Sequence, residues 1–322
     1  MEFIKDTNIK FSARRKNFYL ISVIIILIGL ISLLFQGFNF GIDFAGGTLI
    51  QLKFEQEEVT VAEIRSALAE MNLATSTIQS LSPNEFVIRT SQIELEERKE
   101  ILEKIENKIG PFEILRVEMV GPVIGESLKR LTIFAIVFAL IGIILYITLR
   151  FEFRFAITSI IALVHDVLIA LGILSVLQKE ITIPVIAAIL TIVGYSINNT
   201  IVIFDRLREN LKLKPRTALE EIVDLSINQS LSRTINTAFT TLLPVLALYF
   251  FGGTLSDFAF VLLVGITIGT YSSICIAGPL LLELKKKGKK PVKAVSSTNQ
   301  KAKEQQDIKI IKKTKKKKAK VK

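Results

Sequence analysis

The chain has 322 residues, half of them hydrophobic, and a mean hydropathy of +0.48, which excludes an ordinary soluble globular domain. Its formal net charge of +11 is misleading: from Lys285 onward 17 Lys face only Glu304 and Asp307, a local +15 that leaves −4 for the rest. The body therefore has no basic surface to assign to a polyanionic partner, and the single cysteine, Cys275, excludes an intrachain disulfide.

Residues 1–17 form a basic segment ahead of an apolar run from Phe18 to Phe35. Arg14, Arg15 and Lys16 precede that run as they would a signal peptide. The apolar core, however, exceeds the ~7–15 residues of such a leader and no A-x-A site follows, so it reads as an uncleaved anchor. Residues 36–130 then change in period. Thr48–Phe54 reads as a strand, and Thr60 caps a helix running to Met71, with Glu63 as its capping-box partner. Thr77–Leu81 and Glu85–Thr90 read as strands joined at Ser82-Pro83-Asn84. Ile93–Ile109 is an amphipathic helix stopped by Gly110-Pro111, and Phe112–Val120 is the last strand. The order β-α-β-β-α-β predicts a small ferredoxin-like α+β domain. It carries no His/Cys cluster, nucleophile motif or phosphate loop, so it reads as a module that touches other proteins.

Five more apolar runs follow, at residues 131–149, 155–177, 181–204, 235–251 and 255–282. A helix needs ~20 such residues to cross a bilayer, and the last run is long enough to tilt or to end in the interface. The predicted class is a polytopic α-helical membrane protein with six transmembrane helices and the α+β domain between helices one and two. Residues 205–234 connect spans four and five, and residues 285–322 read as a basic, disordered tail suited to anionic lipid or to the ribosome.

Charge sets the expected topology. Residues 1–16 hold five Lys or Arg, the Arg150–Arg154 turn holds two, and the 205–234 connection holds six. The alternate short loops hold one at most, Lys179. The positive-inside rule then places both termini in the cytoplasm and the acidic α+β domain outside.

Polar residues inside apolar runs mark candidate sites. His165 and Asp166 sit near the middle of span three, as a proton relay or as polar glue between helices. Side chains of adjacent helical residues diverge by ~100°, which predicts that the two do not readily share a partner. On span four, Thr191, Tyr195, Asn198, Asn199 and Val202 read as one face, with Ala187, Ala188 and Gly194 allowing close helix approach. Asp205, Arg206, Arg208 and Glu209 read as an ion-pair cluster ending that span, or as snorkelled charges. Arg233 begins a Thr-rich face with Thr234, Thr237 and Thr241, and Pro244 is expected to kink span five. Gly265, Gly269 and Ser272 form a small-residue packing stripe on span six. Between span one and the domain, Asp43-Phe44-Ala45-Gly46-Gly47 reads as a hinge, or as a tight boundary turn capped by Asp43.

Four segments together resemble the SecF family, the smaller partner in the SecD–SecF protein-export complex of the RND superfamily. They are FGIDFAGGT (Phe40–Thr48), GPVIGESL (Gly121–Leu128), ALVHDVLIALG (Ala162–Gly172), and AAILTIVGYSINNTIVIFDRLREN (Ala187–Asn210) followed by SRTINTAFTT (Ser232–Thr241). The resemblance implies a non-enzymatic transport subunit of the cytoplasmic membrane without a metal or other cofactor. It would use the proton-motive force to drive export, with SecD, the SecYEG translocon, YidC and an unfolded secretory polypeptide as partners. It makes His165, Asp166, Asn198, Asn199, Asp205, Arg206, Arg233 and Thr237 the proton-relay or coupling candidates. Asp43, Gly46, Gly47, Gly121 and Gly125 become domain-coupling positions, and Gly194, Gly265 and Gly269 packing positions. One departure stands out: the family pattern on span four is Asn-Asp-Thr, whereas this chain reads Asn198-Asn199-Thr200. Asn199 cannot titrate, so a proton path needs Asp166, or a carboxylate of SecD. Two other readings are a half-transporter for a lipid or small molecule, and a structural subunit that only stabilises SecD or the translocase.

Overall fold

The six apolar runs become six long helices in a computed structural model, which describes residues 7–56 and 58–286. The Lys-rich tail beyond residue 286, with the disorder and the lipid or ribosome contact read for it, lies outside the described residues. Helix α1 (Phe11–Gln36) leads through a two-residue strand β1 (Asn39–Phe40) and a single-turn helix α2 (Ile42–Ala45) into the α+β domain. That domain is β2 (Gly47–Phe54), α3 (Val61–Ala69), β3 (Thr77–Ser82), β4 (Glu85–Thr90), α4 (Leu95–Ile109) and β5 (Phe112–Val120). The chain returns through α5 (Pro122–Arg150), α6 (Phe153–Val176), strand β6 (Glu180–Ile181), α7 (Ile183–Leu213) and α8 (Leu219–Phe251). After a 3-10 turn at Gly253–Leu255, α9 (Ser256–Ser272) passes through one π-helical segment, Ser273–Ala277, into α10 (Gly278–Lys286).

The sheet order β3-β4-β2-β5, antiparallel throughout, is the ferredoxin-like arrangement expected from the strand–helix order. Alternation along β2 sends Ile50, Leu52 and Phe54 to one face, where they meet Phe86 and Ile88 of β4 under Ile64 and Leu68 of α3 and Ile101 and Ile105 of α4. The Thr60–Glu63 capping box closes at 2.8 and 3.3 Å, so two of the orphan donors at the start of α3 are satisfied. Ile64 is fully buried in this core. Ile64→Ala is expected to cost about 2–5 kcal/mol. It should show as accelerated hydrogen exchange across β2 and β4 of the full chain, with α6 unchanged.

In the bundle, α6, α7 and the α9–α10 segment are about half buried within the chain, while α1, α5 and α8 turn most of their surface outward. The helices overshoot the apolar runs. Helix α1 begins seven residues before Phe18, and the connection expected over 205–234 shrinks to residues 214–218 because α7 and α8 continue through it. Hydropathy marks the apolar slab, whereas backbone hydrogen bonding carries the charged helix ends beyond it. Helix α8 continues through Pro244.

Candidate functional site

Asp166 is fully buried, and helix packing brings four elements to it. Its Oδ2 accepts hydrogen bonds from Ser196 Oγ of α7 at 2.5 Å and Ser272 Oγ of α9 at 2.7 Å. Its Oδ1 lies 2.8 Å from His165 Nδ1 on its own helix. His165 Nε2 in turn lies 2.8 Å from Ser22 Oγ of α1, which is 3.3 Å from the Tyr271 hydroxyl of α9. Tyr271 donates to the carbonyl of Phe18 at 3.0 Å. His165 and Asp166 share no third partner, as expected of adjacent helical positions, but the imidazole folds back onto the neighbouring carboxylate and the two bond each other. An imidazole between a hydroxyl and a carboxyl can take a proton on Nε2 and release one from Nδ1. A line of donors and acceptors thus runs from Tyr271 through Ser22 and His165 to Asp166, ending on two serines.

Ser22 is a lone polar residue in an apolar run, and Tyr271 stands beside Thr270, Ser272 and Ser273, so neither stood out in the sequence. Ser196 was visible only as part of a polar stretch, and Ser272 only as a small residue. A π-helical segment begins immediately after Ser272, and such local widening recurs at functional positions. The seam continues with Thr200 Oγ1 at 3.1 Å from Ser273 Oγ.

Span four divides differently from its expected single face. Asn199 is buried and Asn198 exposed, the ~100° step between adjacent helical positions turning one inward and the other outward here. The Asn199 side-chain amide nitrogen and the Tyr195 hydroxyl, one turn apart, have no hydrogen-bond partner among the described residues. Gly194 is exposed, and a Cβ there would meet nothing within 4 Å, so the close helix approach expected at Gly194 does not occur. It occurs at Gly265, where a Cβ would overlap Ile192, and at Gly269, where it would stand 3.1 Å from Ser196 Cβ. A closer approach escaped the sequence reading altogether. A Cβ on Gly29 of α1 would lie 2.7 Å from Gly172 Cα of α6.

Arg233 is exposed and Thr237 donates to the Arg233 carbonyl at 2.8 Å, so neither joins the Asp166 cluster. Together with Asn198 and Thr191 they leave polar groups on the outward surfaces of α7 and α8. Asp205 and Arg206 sit at the far end of α7, about 14 Å from Ser196 by helical rise. There Asp205 pairs with Arg150 at 2.9 Å and Arg206 with Glu209 at 2.6 Å.

At the other end of the bundle, the Asp43 carboxylate accepts from Ile183 N at 2.8 Å, capping α7 rather than its own turn, which Gly41 begins. The boundary-turn reading of Asp43 is corrected to a tie between α2 and a membrane helix. Gly47 has φ +127°, a conformation side chains rarely adopt, and a Cβ there would overlap the Thr90 carbonyl. Gly46 lies against Val120 and Pro122, and Gly125 packs on the backbone of α2. Gly121 serves as the N-cap of α5. The entry and exit of the α+β domain are thereby pressed together. Among the described residues no three His, Cys, Asp or Glu converge to hold a metal ion.

Comparison with known proteins finds relatives over most of the chain. The family described as protein export membrane protein SecD/SecF, C-terminal, matches residues 100–287, and the SecD/SecF GG motif matches residues 31–58. The protein translocase subunit SecF of Calditerrivibrio nitroreducens is 43% identical over 88% of this chain and 97% of its own length. That of Desulfurispirillum indicum is 46% identical over 81% of this chain and 87% of its own. The crystal structure of SecDF, a translocon-associated membrane protein from Thermus thermophilus, superposes with a TM-score of 0.81 at 40% identity over 87% of this chain. This chain spans 39% of that longer one.

Proposed function

We propose a proton-coupled role in polypeptide export for this chain, which belongs to the SecF family of protein translocase subunits. The observation that carries the reading is the buried Tyr271–Ser22–His165–Asp166 line, gripped by α1, α6, α7 and α9. A titratable carboxyl so deep in an apolar bundle is costly unless it is used or fully hydrogen-bonded. Here its bonds come from three separate helices, so a change in its protonation alters what holds those helices together. The chemistry is proton transfer and helix motion, without a covalent intermediate.

SecD is the partner that the outward polar edge of α7 and α8 fits. Arg233 and Asn198 face away from the chain's own core, where lipid would leave them poorly satisfied. A carboxylate on a neighbouring helix would pair with Arg233. That this chain matches 39% of a SecDF chain supports an assembly in which SecD supplies the remaining helices. Orientation follows from charge: both termini in the cytoplasm, the α+β domain outside the cytoplasmic membrane. SecYEG, YidC and the emerging polypeptide would meet the complex there, and the basic tail would meet anionic lipid or the ribosome.

A second reading, a subunit that stabilises SecD without a proton path of its own, is favoured by the untitratable Asn199. Photo-crosslinkers replacing Asn198 or Arg233 in membranes containing SecD are expected to yield SecD adducts, whereas one at the exposed Phe138 of α5 yields lipid adducts. Equal yields at all three positions would remove the SecD interface from α7 and α8.

A further inference from the structure

Glu180 forms half of β6, the short turn between α6 and α7, and is almost entirely buried although it lies outside the apolar runs. Its Oε2 stands 2.8 Å from Arg89 Nε, on strand β4 of the α+β domain. Arg89 is further steadied by Gln79 of β3 at 3.1 Å. The same turn is tied to the other end of the domain's stalk by the parallel β1–β6 pair, by Gly41 N to the Ile181 carbonyl at 2.9 Å, and by the Asp43 cap on α7. Those ties fasten the stalk. Arg89–Glu180 alone among the ion pairs of the described residues reaches from the sheet to the membrane helices.

We propose that Glu180 is a positioning residue whose buried carboxylate, held by Arg89, keeps the α+β domain seated on the turn joining the two helices that hold Asp166, so that loss of Arg89 makes the seat depend on pH. Helix α6 carries His165 and Asp166, and α7 carries Ser196. A shift of either helix at the Asp166 cluster therefore moves the two ends that converge on Glu180. The joint stands whether or not Asp166 carries a proton, since it rests on the contacts of the turn itself.

The charged groups around Glu180 decide the sign. Burial pushes its carboxyl above the usual carboxylate range; Arg89 of β4 opposes this, Asp257 at the start of α9 and Asp43 of α2 reinforce it, and Lys179 of the same turn opposes it. Lys179 is itself engaged with Asp257 at 2.8 Å. A carboxyl whose affinity for protons is higher docked than undocked favours docking at pH below its docked value and weakens docking above it. An ionised Glu180 depends on Arg89, because a buried charge without its partner is strongly destabilising.

The test uses the full chain with SecD in lipid vesicles, in a Cys275→Ser background. Spin labels at Leu177→Cys in the turn and Glu103→Cys on α4 report the distance between turn and domain at about pH 5 and about pH 8. The native pair is expected to give one narrow distance at both. Arg89→Gln should broaden it at the higher pH and restore it at the lower. Arg89→Gln with Glu180→Gln should be narrow and pH-independent, since neither charge remains to be buried. A distance in Arg89→Gln that stays narrow at both pH values would overturn the proposal, as would broadening that acid does not reverse. If Arg89→Gln does not assemble, the double variant decides: a distance that still varies with pH, or is broad throughout, would overturn it too.

Discussion

Asp166→Asn is expected to abolish the proton-gradient stimulation of polypeptide export in vesicles containing this chain and its SecD partner, a drop of roughly tenfold or more in the stimulated component, while the complex still assembles. Asn is nearly isosteric with Asp. Its carbonyl oxygen can accept from Ser196 and Ser272, and its amide can donate to His165 Nδ1, so the packing contacts of the site are replaced one for one. Only the ability to gain and lose a proton disappears. Asp166→Leu provides the contrast. It leaves the Ser196 and Ser272 hydroxyls without their shared acceptor, at about 1–3 kcal/mol for each group, and should reduce the amount of folded chain. Stimulation retained in Asp166→Asn would place the titrating group in SecD and leave this cluster as polar glue.

Much of the architecture was legible because the signals are strong and local. Twenty-residue apolar runs, the Thr60–Glu63 capping box and the Gly110-Pro111 stop each act over a few residues, and the β-α-β-β-α-β order admits few sheets. The site was half legible. An Asp beside a His in an apolar run announces itself, since each is costly there. The residues that complete it do not: Ser22, Ser196 and Ser272 are common in membrane helices, and only packing turns them toward one carboxylate. Arg233 and Thr237 stand out in sequence yet face away from that cluster, because exposure on a helix is set by neighbours and not by polarity. Glu180 and Arg89 are 91 residues apart in the chain, and each alone reads as an ordinary surface charge.

The glycines show the same limit, and they set the second large effect. Gly172 and Gly194 look alike in sequence, each in a membrane helix near a polar residue. Gly172→Leu should disrupt the bundle and Gly194→Leu should be tolerated, since a side chain at 194 enters open space. Helices α1 and α6 lie along a parallel seam of constant register: Ser22 meets His165, Gly29 meets Gly172 and Ser32 meets Ser175, each pair separated by 143 residues. The glycine pair brings the two backbones into contact, which lets the flanking hydrogen bonds close at 2.8 and 2.9 Å. A leucine at 172 forces the helices apart, with an overpacking cost of about 1–3 kcal/mol. Moving α1 outward also pulls Ser22 away from His165, so the relay should open at its first internal link. A disulfide between Ser32→Cys and Ser175→Cys reports the seam. It is expected to form readily in the native background and with Gly194→Leu, and to fail with Gly172→Leu, with export stimulation falling in parallel. Efficient crosslinking in Gly172→Leu would mean that α1 reaches α6 without the glycine contact. Failure of stimulation with the crosslink intact would separate the relay from the seam.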